Sequence, residues 1–276
     1  MLKIGLSCSF ELNEETFKNL KNAGIDAIEI SFRPENIESI NYAEVESLSK
    51  KYGIELWSFH LPFWDYKIPI DAASHDEKVR NTTVELWKKY IKLAGDIGIK
   101  KFIAHPSSEP KSEDPEVRAQ EIAYSMDTLS KVAEYALEFG ATVCVENLPR
   151  TCLGRNSKEM LQIVSAHPNL KICFDTNHLL AQDTFEFVDE IHSKIATLHV
   201  SDYDYIDERH WLPGEGNVDW HKLYDKLIGY GYKGTWLYEI GIKTRPNIIK
   251  RTRDLTFEDF TRNANEIFSG SPLTLI

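Results

Sequence analysis

Residues 142–178 read TVCVENLPRTCLGRNSKEMLQIVSAHPNLKICFDTNH, and this stretch contains two apolar runs on either side of a helical pattern. The runs, Thr142–Glu146 and Lys171–Phe174, are short and lack polar alternation, as expected of parallel strands covered on both faces. The segment Ser157–Ala166 between them has apolar residues at helical spacing. A strand, a helix and a second strand in this order predict a right-handed crossover within a parallel sheet.

The same alternation extends in both directions along the chain. We predict strands at Lys3–Cys8, Ala27–Ser31, Glu55–His60, Lys101–His105, Thr142–Glu146, Lys171–Phe174, Ile195–Val200 and Thr235–Glu239. We predict helices after Asn13 up to Gly24, through Val79–Gly98 and Ala119–Gly140, and at Tyr42–Tyr52, Ser157–Ala166, Phe185–Ser193, Trp220–Gly229 and Phe257–Phe268. Eight such units in 276 residues fit a closed (β/α)8 barrel better than an open sheet. No glycine-rich nucleotide-binding motif follows the first strand. We therefore predict an α/β fold with a single TIM-barrel domain over residues 1–276.

The amino-acid composition disfavours nucleic-acid-binding proteins and membrane proteins. With 32 basic and 43 acidic side chains the net charge is −11, which disfavours nucleic acid as a partner held mainly through its phosphates. No stretch approaches the ~20 apolar residues that span a bilayer, so we expect no membrane association. Three of the four cysteines lie in apolar runs and form no CxxC pair, which is typical of buried free thiols. We expect a cytoplasmic protein of enzyme size.

Acidic and imidazole side chains mark the carboxyl ends of six successive strands. In order along the chain they are His60, His105, Glu146, Asp175 with His178 three residues on, His199, and Glu239, and the loop after strand seven adds Glu208 and His210. In a barrel these ends converge on one rim, where active sites lie. Carboxylates confined together repel one another, and a divalent cation relieves that repulsion. The residues alone also allow helix caps at Asp175 and His178, and a hydrogen-bonded core histidine at His199.

The ordered set of motifs resembles a known superfamily. Glu146-Asn147, Asp175 to His178, His199 to Asp202, the segment 208–216 (ERHWLPGEG) and Glu239 are similar to motifs of the xylose isomerase-like TIM barrels. That superfamily contains sugar and sugar-phosphate isomerases and epimerases, together with the endonuclease IV group of DNA-repair nucleases. The resemblance extends over nearly the whole chain.

The resemblance implies a metal site and a pair of catalytic residues. By analogy with the ketose 3-epimerases, Glu146, Asp175, His199 and Glu239 would hold one divalent ion. The glutamates Glu146 and Glu239 would also act as acid and base, and His178 would contact the substrate. Three carboxylates and one imidazole favour Mn²⁺, Mg²⁺ or Co²⁺ over a dedicated zinc site, although Zn²⁺ is not excluded.

The same resemblance leaves a nuclease alternative. Endonuclease IV holds three zinc ions, and five residues stand where its additional ligands would be: His60, His105, His178, Glu208 and His210. Glu208 replaces an Asp of the nuclease pattern. These five residues are therefore expected to bind either the substrate or additional zinc ions.

The leading hypothesis is a metal-dependent isomerase or epimerase that acts on a sugar or sugar phosphate by proton transfer through an enediolate. Alternatives are a metal-dependent lyase or dehydratase on a ketosugar, a zinc phosphodiesterase and a non-catalytic sugar-binding barrel. The partner is expected to be a small sugar, with a homo-oligomer also possible.

Two loops are expected to shape this site, and a third segment is a candidate for binding a phosphate. Leu61–Ser74 contains an aromatic run in which Trp64 would contact the substrate, unless the loop packs on its own apolar side chains. Ser201–Val218 is long enough to be a functional lid, with Gly214 and Gly216 allowing the backbone to approach the ligand. Lys243–Arg253 is basic and would bind a substrate phosphate, or else form an exposed loop or subunit contact.

Overall fold

The computed structural model describes residues 1–244, 248 and 250–276, and these residues form an eight-stranded parallel barrel. The strands are β1 Ile4–Cys8, β2 Ala27–Ile30, β3 Glu55–His60, β4 Lys101–Ala104, β5 Thr142–Glu146, β6 Leu170–Asp175, β7 Ile195–His199 and β8 Trp236–Tyr238. Strands pair in chain order, and β1 also pairs with β8. Between β7 and β8, the Val200 N–H donates to the Leu237 carbonyl at 2.8 Å, and the Val200 carbonyl accepts from the Glu239 N–H at 3.1 Å. The predicted (β/α)8 TIM barrel is confirmed.

Helices alternate with the strands around the barrel. They are α1 Glu14–Asn22, α2 Pro34–Ile37, α3 Tyr42–Tyr52, α4 Glu77–Asp96, α5 Pro115–Ala136, α6 Ser157–Val164, α7 Thr184–Ile191, α8 Trp220–Gly229 and α9 Phe257–Ser269. Short 3-10 turns follow α5 at Leu137–Phe139 and α7 at His192–Lys194. The single-turn helix α2 was not predicted, because four residues are too few to show helical spacing.

Asparagine and aspartate begin most of these helices. Their side chains accept backbone N–H groups of the first turn at Asn13, Asn41, Asp76, Asp114, Asn156, Asp183 and Asp219. Each such cap contributes about 1 kcal/mol to stability. The caps therefore fix where each helix starts, and with it the length of the loop that precedes the helix.

The strand ends differ from the prediction by one residue at several places. His105 and Glu239 lie one residue beyond β4 and β8, whereas Asp175 is the last residue of β6 rather than the first residue after it. These shifts leave all three side chains at the carboxyl end of the barrel.

Two apolar layers make up the core. The larger layer lies between strands and helices, and a smaller cluster of Ile103, Cys144 and Cys173 comes from the alternate, inward-facing positions of β4, β5 and β6. All four cysteines are buried and free, as predicted. The barrel interior is not uniformly apolar, because Glu29 and His199 are completely buried there.

None of the helices within the described residues is both long and apolar enough to span a membrane.

Candidate active site

Four side chains of types that bind metals lie close together at the carboxyl ends of four consecutive strands. Glu146 ends β5, Asp175 ends β6, His199 ends β7, and Glu239 follows β8. One ligand atom from each of the four lies within 4.8 Å of the others. His199 Nδ1 is 3.1 Å from Glu146 Oε1, 3.3 Å from Glu239 Oε2 and 3.8 Å from Asp175 Oδ2. These separations are short enough for the four donors to share one ion.

Burial and the contacts among the four side chains together set their pKa values. Burial, with the neighbouring carboxylates Glu239 and Glu146, raises the pKa of Asp175 well above its usual value. Burial would also raise the pKa values of Glu146 and Glu239, but their contacts with His199 outweigh it and hold both well below the usual range. Burial lowers the pKa of His199 less than the surrounding carboxylates raise it, so the net shift is upward.

Two carboxylate oxygens in this group are buried and lack a hydrogen bond. Asp175 Oδ2 and Glu239 Oε2 have no hydrogen-bond partner among the residues that the structure describes. Leaving such atoms desolvated costs free energy. A divalent cation between them would satisfy both oxygens and neutralise the repulsion, so the residues fit such an ion.

Three further histidines are oriented in the way that metal-binding histidines usually are. His60, His178 and His210 each place Nδ1 near a backbone carbonyl oxygen, at 2.9, 2.9 and 3.1 Å. Because a carbonyl only accepts, Nδ1 carries the hydrogen in each ring. Nε2 is then the ring nitrogen that is placed to bind a metal or substrate.

These rings form two groups beside the central four. His60 Nε2 lies 3.2 Å and His105 Nε2 3.1 Å from Glu146 Oε2. Burial lowers the pKa of His105, whereas in His60 the contact with Glu146 outweighs burial and raises the pKa to about 9.

The second group is His178, Glu208 and His210, whose donor atoms also lie within 4.8 Å of one another. His178 Nε2 is 3.2 Å from Glu208 Oε2. The contact with His178 and an ion pair with Arg150 lower the pKa of Glu208 to about 2. The sequence-predicted site residues therefore lie together, and their individual roles stay predictions.

A cavity of about 390 Å³ opens above these groups. Its lining includes the histidines His60, His105, His178 and His210, the carboxylates Glu146, Glu208 and Glu239, and the aromatic residues Phe63 and Trp64. Phe63 stacks on the ring of His105 with centroids 4.2 Å apart. Phe63 and Trp64, from the loop after β3, thus line the cavity. The contact of Trp64 with a substrate stays a prediction.

Asp202 anchors the long loop after β7. Its buried carboxylate accepts the backbone N–H groups of Gly214, Gly216 and Val218 at 2.8 to 3.2 Å, and the indole N–H of Trp220 at 2.9 Å. This arrangement holds the segment that carries Glu208 and His210 against the barrel.

The sequence had suggested that the two loop glycines bring the backbone close to a ligand. In the structure, other residues of the protein lie beside both glycines instead. A Cβ at Gly216 would collide with Asp202 Oδ1. Gly214 has φ +100°, a conformation that glycine adopts without strain. Both glycines instead allow the loop to fold around the Asp202 carboxylate.

Sequence reasoning missed two charged residues near the site. Arg150, with φ +52°, donates to Glu109, Asp207 and Glu208 and so ties three loops together at the cavity mouth. Nothing in its local sequence signals this role. Glu29 is fully buried in β2 and contacts His199, and the available signal was a single charge within the apolar run Ala27–Ile30.

The basic segment after β8 offers few free charges for a phosphate. Lys243 pairs with Asp254 at 2.7 Å and Arg253 pairs with Asp259 at 2.7 Å. In the same segment, Arg251 forms a buried pair with Glu215 at 2.8 Å. These three cations are neutralised by neighbouring acids, which weakens the phosphate interpretation. Arg245, in the same segment, lies outside the described residues.

Comparisons with known proteins agree with this architecture. A family model described as xylose isomerase-like TIM barrel matches residues 17–257. A solved structure of a D-tagatose 3-epimerase-like protein has a TM-score of 0.77 at 26% identity and covers 97% of each chain. Fructoselysine 3-epimerase of Shigella flexneri is 22% identical over 80% of this chain and 82% of its own length. Probable endonuclease 4 of Aquifex aeolicus is 26% identical over 86% and 82%. Similarity thus extends to sugar epimerases and to a nuclease.

Proposed function

Because the chain belongs to the xylose isomerase-like TIM barrel family, we propose that it is a divalent-metal-dependent sugar isomerase or epimerase, and specifically that it inverts C3 of a ketose. The observation that carries the proposal is that Glu146, Asp175, His199 and Glu239 lie together at the cavity. Two of their buried carboxylate oxygens lack a hydrogen bond. Of the two similar proteins described above, one is named a 3-epimerase and the other a 3-epimerase-like protein, which favours C3.

The two glutamates are suited to proton transfer. The low pKa of Glu146 keeps its carboxylate ionised at neutral pH, so it can accept the proton from C3. The C3–H electron pair then moves into a C2–C3 enediolate, whose charge the divalent cation would stabilise when bound. Glu239, whose low pKa means that its carboxylate must first take up a proton, delivers that proton to the opposite face of C3, and inversion is complete. Exchange of the two roles gives the reverse reaction.

The cavity lining favours a small polar ring with one apolar face. Phe63 and Trp64 provide an aromatic surface for the C–H side of the sugar and exclude water from the reacting carbon. His178, fixed through Nδ1 to a backbone carbonyl, lines the cavity, where it would contact the substrate hydroxyls. A homo-oligomer stays a prediction.

A zinc phosphodiesterase is the second candidate. The observation that favours it is the group of His178, Glu208 and His210, which would hold a further zinc ion beside the central four. The net charge of −11 opposes it, since gripping DNA depends on neutralising phosphates. The number of metal ions in each chain separates the two proposals.

The test combines metal analysis with hydrogen exchange. Purified protein is analysed for metal content, loaded with Mn²⁺ and incubated with a panel of pentuloses and hexuloses in deuterated water, with a chelator-treated sample as control. We expect one ion per chain, deuterium at C3 and the C3 epimer in nuclear magnetic resonance spectra.

Three other results would overturn the proposal. Deuterium at C1 or C2 with an aldose product would make the protein an aldose–ketose isomerase, and loss of a β-hydroxyl would make it a dehydratase. Three zinc ions with cleavage of abasic DNA would establish the phosphodiesterase. Absence of exchange across the whole panel would also contradict epimerase activity.

A further inference from the structure

We propose that Glu29 positions His199 for metal binding by fixing which ring nitrogen carries the hydrogen. Glu29 lies in β2, on the far side of the barrel interior from β7, and its carboxylate is 3.1 Å from His199 Nε2. Both side chains are completely buried. The inference rests on the proposed metal centre and adds a residue that does not itself touch the ion.

Both ring nitrogens of His199 lie 3.1 Å from a carboxylate oxygen, Nε2 from Glu29 and Nδ1 from Glu146. An ion held by the group of four would displace the hydrogen from Nδ1, and the carboxylate of Glu29, which only accepts, would then hold the ring hydrogen on Nε2. The opposite nitrogen, Nδ1, then faces Glu146, Asp175 and Glu239 at 3.1 to 3.8 Å. A neutral imidazole held this way offers its Nδ1 lone pair to an ion shared with the three carboxylates.

Two hydroxyls hold Glu29 in place. Ser7 Oγ donates to Oε1 at 2.9 Å, and Ser58 Oγ donates to Oε2 at 2.7 Å. These contacts come from β1 and β3, the two strands that flank β2. A carboxylate in the interior of a barrel is costly unless it is paired and hydrogen-bonded. The three partners meet that requirement and leave Glu29 a single orientation.

The contrast with neighbouring rings makes this contact testable. His60, His178 and His210 are oriented by backbone carbonyl groups, which no substitution removes. His199 is oriented by a side chain instead. A change at Glu29 therefore alters the tautomer of His199 while every proposed metal ligand stays in the chain.

The test is the isosteric variant Glu29→Gln. Its amide can turn an N–H toward His199 Nε2, which moves the ring hydrogen to Nδ1, where the ion would bind. We expect Mn²⁺ affinity, measured by calorimetry, to fall about 10- to 100-fold. We also expect the visible absorption spectrum of the Co²⁺-loaded protein to change, while the far-ultraviolet circular dichroism of the metal-free protein stays that of the wild type.

The matched control is Ser58→Ala, which removes one hydrogen bond from the same carboxylate but leaves the contact with His199. It should bind Mn²⁺ close to the wild-type affinity. A double-mutant cycle adds a second criterion, since Glu29→Gln should cause no further loss of affinity in a His199→Gln background. Equal losses in both backgrounds would mean that Glu29 does not act through His199.

A measurement on the wild type covers the case in which Glu29→Gln does not fold. In ¹⁵N-histidine spectra of the Zn²⁺-loaded protein, the ring signal that is missing from His199→Gln should show a protonated Nε2 and a metal-bound Nδ1. A metal-bound Nε2 would overturn the inference. If the wild type binds no Mn²⁺, Co²⁺ or Zn²⁺, the proposed function fails; if wild type and Glu29→Gln bind equally, only this inference fails.

Discussion

The carboxylate of Glu146 is the most heavily contacted group in the site. His60, His105 and His199 each place a ring nitrogen 3.1 to 3.2 Å from its oxygens. Contacts with the imidazoles overcome the effect of burial and lower the pKa of Glu146. The carboxylate is thereby kept ionised beside the proposed ion, which is the state in which it can accept a proton.

Removing either proposed acid–base residue should abolish turnover without unfolding the protein. We expect Glu146→Gln and Glu239→Gln each to lower kcat by about 10³-fold or more, because the amide cannot exchange a proton. The measurement is initial rate on the ketose identified above. Glu113→Gln, which alters an exposed acid paired with Arg155, is the control and should keep its activity. Near-native turnover in Glu146→Gln would contradict its role as base.

At the scale of elements, the loop after β7 depends on one carboxylate. Asp202 accepts four backbone N–H groups, that of Tyr203 and the three described above, and one indole N–H. An Asn at this position would direct an N–H₂ group toward donors and leave some of them unsatisfied.

We expect Asp202→Asn to lower the free energy of unfolding by about 2–4 kcal/mol, since more than one buried donor loses its acceptor. Urea denaturation measures this change. The exposed Asp225→Asn on α8 should change the same free energy by less than about 0.5 kcal/mol. A similar small change in Asp202→Asn would show that the loop is held by other contacts.

The N-terminus of α9 gives a pH-dependent prediction. Asp259 accepts the backbone N–H of Thr256 at 2.8 Å and pairs with Arg253 and Arg262. Burial would raise the pKa of Asp259, but these contacts outweigh it and lower the pKa to about 2. The unfolded value is about 3.9. Because the folded pKa is the lower one, the stabilisation is complete above the unfolded value and is lost as the pH falls toward 2.

Asp259→Asn should therefore lower the free energy of unfolding by about 1–2 kcal/mol at pH 6. The difference from the wild type should shrink as the pH falls from 4 toward 2, because protonation removes the same charge from the wild type. Urea denaturation of both proteins at pH 6, 4 and 3 measures it. A difference that does not vary with pH would assign the effect to shape rather than charge.

At the scale of the whole molecule, the proposed ion would join the ends of four strands. Shared by β5, β6, β7 and the residue after β8, it would bind the folded barrel and not the unfolded chain. At an ion concentration 100 times the Kd, linkage adds about 2.7 kcal/mol to stability.

Removal of the ion should consequently lower Tm by about 5–10 °C, since about 2–4 °C accompanies each kcal/mol in chains of this size. Differential scanning calorimetry of Mn²⁺-loaded and chelator-treated protein measures the shift. The double variant Asp175→Asn with Glu239→Gln is the control and should not respond to Mn²⁺. An equal Tm in both forms of the wild type would argue against an ion bound by these strands.

The sequence by itself determined the barrel, because eight apolar runs separated by capped helices leave few alternatives to a closed parallel sheet. It also located the strand-end residues Glu146, Asp175 and His199, since polar residues that end buried strands stand out from their apolar neighbours. The single domain over residues 1–276 stays a prediction. Whether a residue ends a strand depends mainly on its neighbours in the sequence, so the local pattern is enough to predict it.

Only the tertiary structure decided which partners these residues have. Glu29 and His199 are 170 positions apart and meet across the barrel interior, and Arg150 joins loops that no local pattern connects. The glycines of the loop after β7 proved to serve Asp202 rather than a ligand. Such pairings depend on how the sheet closes and on the direction of each side chain, and both arise from packing between segments that are distant in the chain.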